Sequence, residues 1–516
     1  MEPTTTSKSE ATTTAAPSGN GARPSRMDSV NPRTGEILGS FEVMEAGAVS
    51  ERVERARARQ LAWAARTPDE RGRHLLRVRA SLVDAGPEIT RISAEETGKP
   101  IATAYYELMA ACAMLTWASR NVAKALASHT LPSYPVATKR AHVQYQPFGV
   151  IGLISPWNYP IGIPFQTLPY ALGAGNTVVL KPSELATLTG IRIAEAINAA
   201  GVELVHVVTG DGPTGEALVR APVDKISFTG SPGTARHILR AAADSLTPSI
   251  LELGGKDPMI VLPDADPETA ARAATAAAFF NAGQTCMSTE RAIVCEPIHD
   301  EFVRRAALIA DKLRVGPDED SQVGPLTRAG QLEVLEARIR DAVSKGARVI
   351  AGGSARDDLG HGTYLRPTVL DRVTPDMAIF HEESFGPILS VVRAADTEEA
   401  IRLANTSTMG LSASVFTTDA DLGRLVASMI EAGGVNVNDV MLGAAMAAVP
   451  FGGTKNSGFG RLQGIEGFRA FSQSKTITED RVRGMKPMMS LMFHTARQPS
   501  PRLLQRALKL TFGRGR

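Results

Sequence analysis

Cysteine is scarce: the 516 residues hold three, Cys112, Cys286 and Cys295. Three thiols cannot make a disulfide framework and leave one unpaired in any pairing, so a reducing compartment, the cytoplasm, is the expected setting. No apolar run reaches the roughly eighteen residues that a membrane-spanning helix needs. His206, His237, His361 and His381 stand singly, without Cys, Asp or Glu partners at ligand spacing, and no metal site is expected. The formal net charge of +2 says little by itself, and no nucleic-acid module is recognisable.

What is present reads as an ordinary globular protein, 43% hydrophobic and 21% charged. The length exceeds one hydrophobic core, so two or three domains are expected. Residues 1–26 are rich in Thr, Ser, Ala, Pro and Gly, too poor in apolar surface to offset ordering, and are expected to be a disordered tail. They lack the apolar core of a secretory signal, and Glu2 and Glu10 fit a transit peptide poorly. From Arg481 to Arg516 there are nine Lys/Arg and no Asp or Glu, which leaves roughly −7 on the rest of the chain. The protein therefore has an acidic body and a basic tail.

Between residues 48 and 124 Leu75, Leu76, Val78, Leu82 and Val83 recur at helical spacing. Short β-branched runs follow at 141–145, 150–154, 176–181, 205–209 and 225–229, with helical stretches between the later ones. A second alternating series runs through 291–295, 348–351, 388–393, 412–416 and 434–438. Strands alternating with helices imply βαβ units, hence an α/β protein with two largely parallel-sheet lobes and a ligand cleft between them.

Cys286 lies in a small, polar run, Asn-Ala-Gly-Gln-Thr-Cys-Met-Ser, that suits a nucleophile. Cys295, in an apolar strand, and Cys112, in an apolar helix, read as buried core thiols. Glu252 precedes Gly254-Gly255-Lys256 and is a candidate base. Asn158 sits between Trp157 and Tyr159, flanked by Pro156 and Pro160, just past an apolar strand, where α/β sheets place ligands. The G-x-G-x-x-G fingerprint is absent; instead a strand is followed by Gly230-Ser231-Pro232-Gly233-Thr234-Ala235, a turn that could offer backbone N–H groups to phosphate.

Pro-Trp-Asn-Tyr-Pro at 156–160, Lys-Pro-Ser-Glu at 181–184, Phe-Thr-Gly-Ser at 228–231, Glu-Glu-Ser-Phe-Gly-Pro at 382–387 and Pro-Phe-Gly-Gly-Thr-Lys-Asn-Ser-Gly at 450–458 join the Glu252 and Cys286 segments. Together, from about Asn31 to about Thr478, they resemble the aldehyde dehydrogenase superfamily. The resemblance implies a Rossmann-like dinucleotide-binding domain over 27–127 and 147–252, a catalytic domain over 253–469, and a small β flap over 128–146 and 470–482 used in a homodimer or homotetramer. It implies oxidation of an aldehyde to an acid, with Cys286 forming a hemithioacetal and then a thioester, Glu252 activating water, and Asn158 with the Cys286 backbone N–H holding the oxyanion. The thiol's surroundings are expected to lower its pKa.

For the cofactor the resemblance implies contacts from Trp157, Lys181, Glu184, Gly230, Ser231, Glu383 and Phe385. A carboxylate at Glu184 would accept from both ribose hydroxyls and repel a 2′-phosphate, so NAD is expected, with NADP open. Ala235 departs from the family's glycine there. Tyr159, Met287 and Met441 would line the substrate pocket. The segment 438–446 carries Met, Leu, Ala and Gly but no Lys or Arg, so apolar aliphatic or aromatic aldehydes are expected over semialdehydes such as succinate semialdehyde. Two alternatives stay open: acyl transfer to coenzyme A, against which Glu252 argues, and a non-catalytic scaffold. In the basic tail, 483–516, residues 502–512 form a basic amphipathic pattern. Its expected place is on the protein's own oligomer, with a membrane surface as the second reading.

Overall fold

The computed structural model describes residues 24–134, 136, 138–318, 320–482 and 500–512. Most of the segment expected to be disordered, and much of the basic tail, thus lie outside the described residues. Arg26 itself opens a strand, Arg26–Val30, paired with Ile37–Glu42.

The alanine- and arginine-rich stretch folds into helices Ala46–Ala64, Pro68–Asp84, Gly86–Thr97 and Ile101–Ala125. The second begins at a full capping box, the Thr67 side chain accepting from the Glu70 N–H while Glu70 accepts from the Thr67 N–H. The first packs on one face of a six-stranded sheet ordered Gly458–Phe459, Ser249–Leu253, Lys225–Gly230, Val150–Ile154, Thr177–Lys181, Val205–Val207, and the other three lie outside helices Gly162–Ala174 and Thr187–Asn198, which cover the opposite face. All neighbours are parallel except the first pair. Strands buried on both faces read as continuous apolar runs. Accordingly Ile151 and Leu153 enter one core cluster with Trp63, Leu75 and Phe165, while Val150 enters another with Val53, Leu218 and Ile238.

From Val150–Ile154 the chain winds outward through Thr177–Lys181 and Val205–Val207, then returns to lay Lys225–Gly230 on the other side. The strand order therefore reverses between Ile154 and Gly230. Loops leaving strand ends on either side of such a reversal diverge and open a crevice, and ligands bind there.

The second sheet has seven strands, ordered Arg348–Ala351, Thr368–Asp371, Ile388–Ala394, Thr289–Cys295, Asp257–Val261, Ser412–Phe416, Gly434–Val437. Only Arg348–Ala351 runs antiparallel to its neighbour. Cys295 is fully buried in its core, as expected of an apolar-strand thiol. Cys112 departs from expectation: it is half-buried, packed at the margin of the helical core rather than within it. A third, antiparallel sheet joins Ser472–Asp480, Lys139–Pro147 and His129–Leu131. Among the described residues no helix is long and apolar enough to cross a membrane, and no group of three or more His, Cys, Asp or Glu could hold a metal.

Candidate active site

Two cavities meet at Cys286. The larger, about 830 Å3, runs along the crevice at the strand-order reversal and is lined by Trp157, Asn158, Lys181, Glu184, Gly230, Ser231, Glu383 and Phe385. The smaller, about 190 Å3, is mostly apolar and is lined by Tyr106, Met114, Tyr159, Phe280, Met287, Leu411, Met441 and Phe451. Ile163, Thr229, Glu252, Leu253 and Cys286 border both. Every residue singled out from sequence for catalysis, cofactor or substrate thus borders one of these two spaces.

The first sheet supplies its walls from strand C-terminal ends, whereas the second supplies Cys286, Glu383 and Phe385 from segments that precede its strands and Met441 from one that follows its last strand. Cys286 comes just before Thr289–Cys295, and Glu383 and Phe385 just before Ile388–Ala394. The chain reaches Cys286 through a tight bend, with Asn281, Ala282 and Gly283 at φ of 53°, 55° and 69°. Ala282 carries left-handed strain that a β-carbon resists. At Gly283 a side chain would also collide with the Gly386 carbonyl, so glycine is required on two counts. The bend brings the thiol segment against the Glu383–Pro387 turn, where Phe385 is likewise left-handed, at φ 53°.

A buried ion pair braces the Asn158 loop. Lys99 pairs with Glu107, and its ammonium donates to the Asn158 carbonyl at 2.8 Å. Glu107 also accepts from the Ile161 and Gly162 N–H groups at 3.0 and 2.9 Å. Each charge is hydrogen-bonded as well as paired, the condition under which buried ions are tolerated. The Asn158 side-chain amide donates to the Gln284 carbonyl at 3.0 Å, tying the loop to the Cys286 segment. Tyr159 and Thr285 hydroxyls bond at 2.7 Å across the same seam.

Acidic groups surround the thiol. Burial pushes the Cys286 pKa up, and the Glu383, Asp257 and Glu252 carboxylates push it further. The expectation of a lowered pKa is therefore corrected: the thiol is neutral in this environment, because desolvation and like charge both oppose a thiolate. Burial also holds the Glu252 carboxyl well above its usual range, opposed by the Arg461 guanidinium. Neither carboxylate oxygen of Glu252 has a protein donor in hydrogen-bonding geometry. Although it stands at a strand end, Glu252 is buried, 2% exposed. Glu383 is raised to about 8, first by burial and then by Glu290, while a Gly255 N–H donated to it at 3.2 Å works the other way.

Gly254 and Gly255 earn their place by contact. A β-carbon at 254 would collide with the Glu383 carboxylate, and one at 255 with the Cys286 carbonyl and with Asp257. At the other end of the large cleft, Ser231 caps helix Pro232–Ala243, accepting from the Thr234 N–H at 3.2 Å. Ala235 is buried in the same core as Leu218 and Ile238 and does not line the cleft. Lys181 and Glu184 sit 3.7 Å apart on the cleft wall. Trp157 and Phe385 meet edge to face, ring centroids 5.7 Å apart.

Sequence reasoning missed the supporting charges. Lys99, Glu107, and the Lys256–Glu290 pair that holds the Ser384 and Phe385 N–H groups gave no signal, since an ordinary solvated Lys or Glu looks the same in sequence. Tyr106 and Met114 were missed because they lie on the long helix Ile101–Ala125, remote from every motif.

A family model described as the aldehyde dehydrogenase family matches residues 20–477. The chain belongs to that family. As a member it is an oxidoreductase that takes an aldehyde to the acid. The chain is 36% identical over 448 residues to 4,4'-diapolycopene aldehyde oxidase of Methylomonas sp, covering 86% of this chain and 84% of that protein. It is 36% identical over 459 residues to betaine aldehyde dehydrogenase of Rhizobium etli, covering 87% and 93%. Its fold matches the crystal structure of NAD-dependent aldehyde dehydrogenase from Sinorhizobium meliloti with a TM-score of 0.86 at 36% identity, covering 90% and 93%.

Proposed function

We propose that this aldehyde dehydrogenase oxidises apolar aldehydes with NAD(P) and releases the acid to water, using Cys286 as nucleophile and Glu252 as base. The observation that carries the reading is the meeting of a large polar cleft and a small apolar cavity at these two side chains. When bound, NAD(P) supplies the hydride acceptor. The large cleft fits it: helix N-terminal N–H groups lie beyond Ser231 for a pyrophosphate, Glu184 for the adenosine ribose, Glu383 for the second ribose, and Trp157 and Phe385 beside the nicotinamide.

The aldehyde enters from the apolar cavity. The Cys286 sulfur attacks its carbonyl carbon after giving its proton to a neighbouring base, and Glu252, itself of raised pKa, suits that task. Asn158 has two amide hydrogens; one is held by Gln284, and the other, with the Cys286 N–H, stabilises the oxyanion. Loss of hydride leaves a thioester on Cys286. Glu252 passes the thiol's proton to solvent, then takes a proton from water as the water adds to the thioester carbon, and the thiol leaves with that second proton. Coenzyme A is not needed as acceptor, since the buried carboxyl supplies the base.

The lining favours apolar aldehydes. Arg291, the cation nearest the nucleophile in sequence, is fully buried and donates to the Lys256, Leu403 and Ala404 carbonyls. It is committed away from the cavity. Glu107 borders the cavity but is paired with Lys99. We read 27–127 with 147–252 as the cofactor domain and 253–469 as the catalytic domain; one strand, Gly458–Phe459, crosses from the second to complete the first sheet. The flap, 128–146 with 470–482, is our candidate for contact in a homodimer or homotetramer, supported by its exposed edge strand His129–Leu131. Three free thiols support a cytoplasmic setting.

The deciding assay follows NADH formation with hexanal, benzaldehyde and succinate semialdehyde, with and without coenzyme A. Hexanal and benzaldehyde should exceed the semialdehyde in kcat/KM, and coenzyme A should make no difference. A clear preference for the semialdehyde overturns the substrate reading. Turnover that requires coenzyme A overturns the hydrolytic one.

A further inference from the structure

The helix Pro501–Phe512 stands apart from everything described so far. All residues from Pro501 to Leu510 are exposed. Leu503, Leu504, Leu508 and Leu510 are 57%, 55%, 60% and 86% exposed. At about 100° per residue, Arg502, Arg506 and Lys509 fall within about 60° of one another, and the leucines spread over the adjoining arc of about 160°, from Leu510 beside Arg506 round to Leu508. A compact cationic stripe beside a broad leucine face, with no carboxylate on the helix, is the pattern of a helix that lies in a lipid headgroup layer.

We propose that this helix docks the enzyme on an anionic lipid bilayer. The leucine arc enters the acyl boundary, and Arg502, Arg506 and Lys509 pair with lipid phosphates. Charge complementarity selects this partner over a neutral apolar groove: the segment 481–516 carries nine cations and no anion, and juxtamembrane cations are drawn to anionic leaflets. A single short helix binds a bilayer weakly, but a polybasic segment added to an apolar face supplies the second anchoring signal. Docking would place the apolar cavity of the same enzyme where apolar aldehydes concentrate. The membrane contact does not depend on that substrate assignment, and the two fail separately.

The test uses the full-length enzyme with vesicles of phosphatidylcholine alone and vesicles that also contain phosphatidylglycerol. The wild type should sediment with the anionic vesicles, stay in solution with the neutral ones, and be released near 1 M salt, where the Debye length falls to about 3 Å. Arg502→Glu/Arg506→Glu/Lys509→Glu should weaken partition by at least about a hundredfold. Leu504→Ser/Leu508→Ser should lose binding with its charge unchanged. These side chains border neither active-site cavity, so both variants should oxidise a water-soluble aldehyde at the wild-type rate. Equal sedimentation of the wild type and the charge-reversed variant would overturn the proposal. Absence of vesicle binding by the wild type would do the same; if the leucine variant then dissociated to a smaller species, the helix would be assigned to a second copy of the chain.

Discussion

The carboxylate of Glu383 occupies the space that a side chain on residue 254 would fill. The two positions lie far apart in sequence and form one wall of the large cleft. Gly254→Ala should displace Glu383, raising KM for NAD about tenfold while costing about 1–3 kcal/mol of stability through overpacking. NAD titration and thermal unfolding read the two effects. Unaltered NAD affinity would show that Glu383 does not hold the cofactor.

Cys286→Ala should lower turnover by at least about 10^4-fold and leave NAD affinity unchanged. Cys112→Ala and Cys295→Ala should keep most activity. The buried Cys295 change should cost more stability than Cys112→Ala, whose thiol is half-buried. Steady-state NADH formation and equilibrium unfolding of the three variants check this, and brisk turnover by Cys286→Ala would remove it as nucleophile.

Glu252→Gln retains shape and loses basicity. NADH formation should slow in the first turnover as well as in the steady state, the latter by about 10^2- to 10^4-fold, because Glu252 takes the Cys286 proton as well as water's; undiminished steady-state turnover would argue for another base. The wild-type rate should rise with pH through a midpoint above the ordinary carboxylate range, because burial raises this pKa.

The same shift predicts a stability effect. Folded Glu252 keeps a proton that the unfolded chain releases above about pH 4.3. Its contribution to stability is therefore intact below that value and is lost as pH rises toward the folded pKa. Glu252→Gln should gain Tm over the wild type as pH climbs from 4 to 8, with no such gain at the acid end. A difference independent of pH would mean that the carboxyl does not titrate as a buried acid.

Replacing Glu184 by Thr should bring kcat/KM for NADP closer to that for NAD by about tenfold, since removal of a carboxylate relieves repulsion of the 2′-phosphate while sacrificing ribose hydrogen bonds. Initial rates with both cofactors decide it. A wild-type preference for NADP would assign discrimination elsewhere on the cleft.

The two parallel sheets were legible because strands buried on both faces leave continuous apolar runs, as at Val150–Ile154. The reactive positions were legible because glycine and proline mark tight approaches around Asn158, Glu252 and Cys286. What escaped was long-range and electrostatic. Nothing local tells a paired Lys99 from a solvated one, and the acidity that neutralises Cys286 arises only when Glu252, Asp257 and Glu383 converge from three different segments. The apolar cavity was half legible: Met287 and Met441 lie near motifs, whereas Tyr106 and Met114 arrive from a helix whose contacts the periodicity left unspecified.

Glu252 pairs across the sheet with Gly458, and Leu251 with Phe459. During synthesis the strand bearing Glu252 leaves the ribosome long before the segment that closes its outer side. Until then its amides and carbonyls form an open sheet border, the kind of border that recruits foreign strands. The seclusion that raises Glu252's pKa likewise waits for that late segment. A nascent chain that already carries both Cys286 and Glu252 thus still lacks the buried setting of Glu252, and its sheet border stays open until Gly458 arrives.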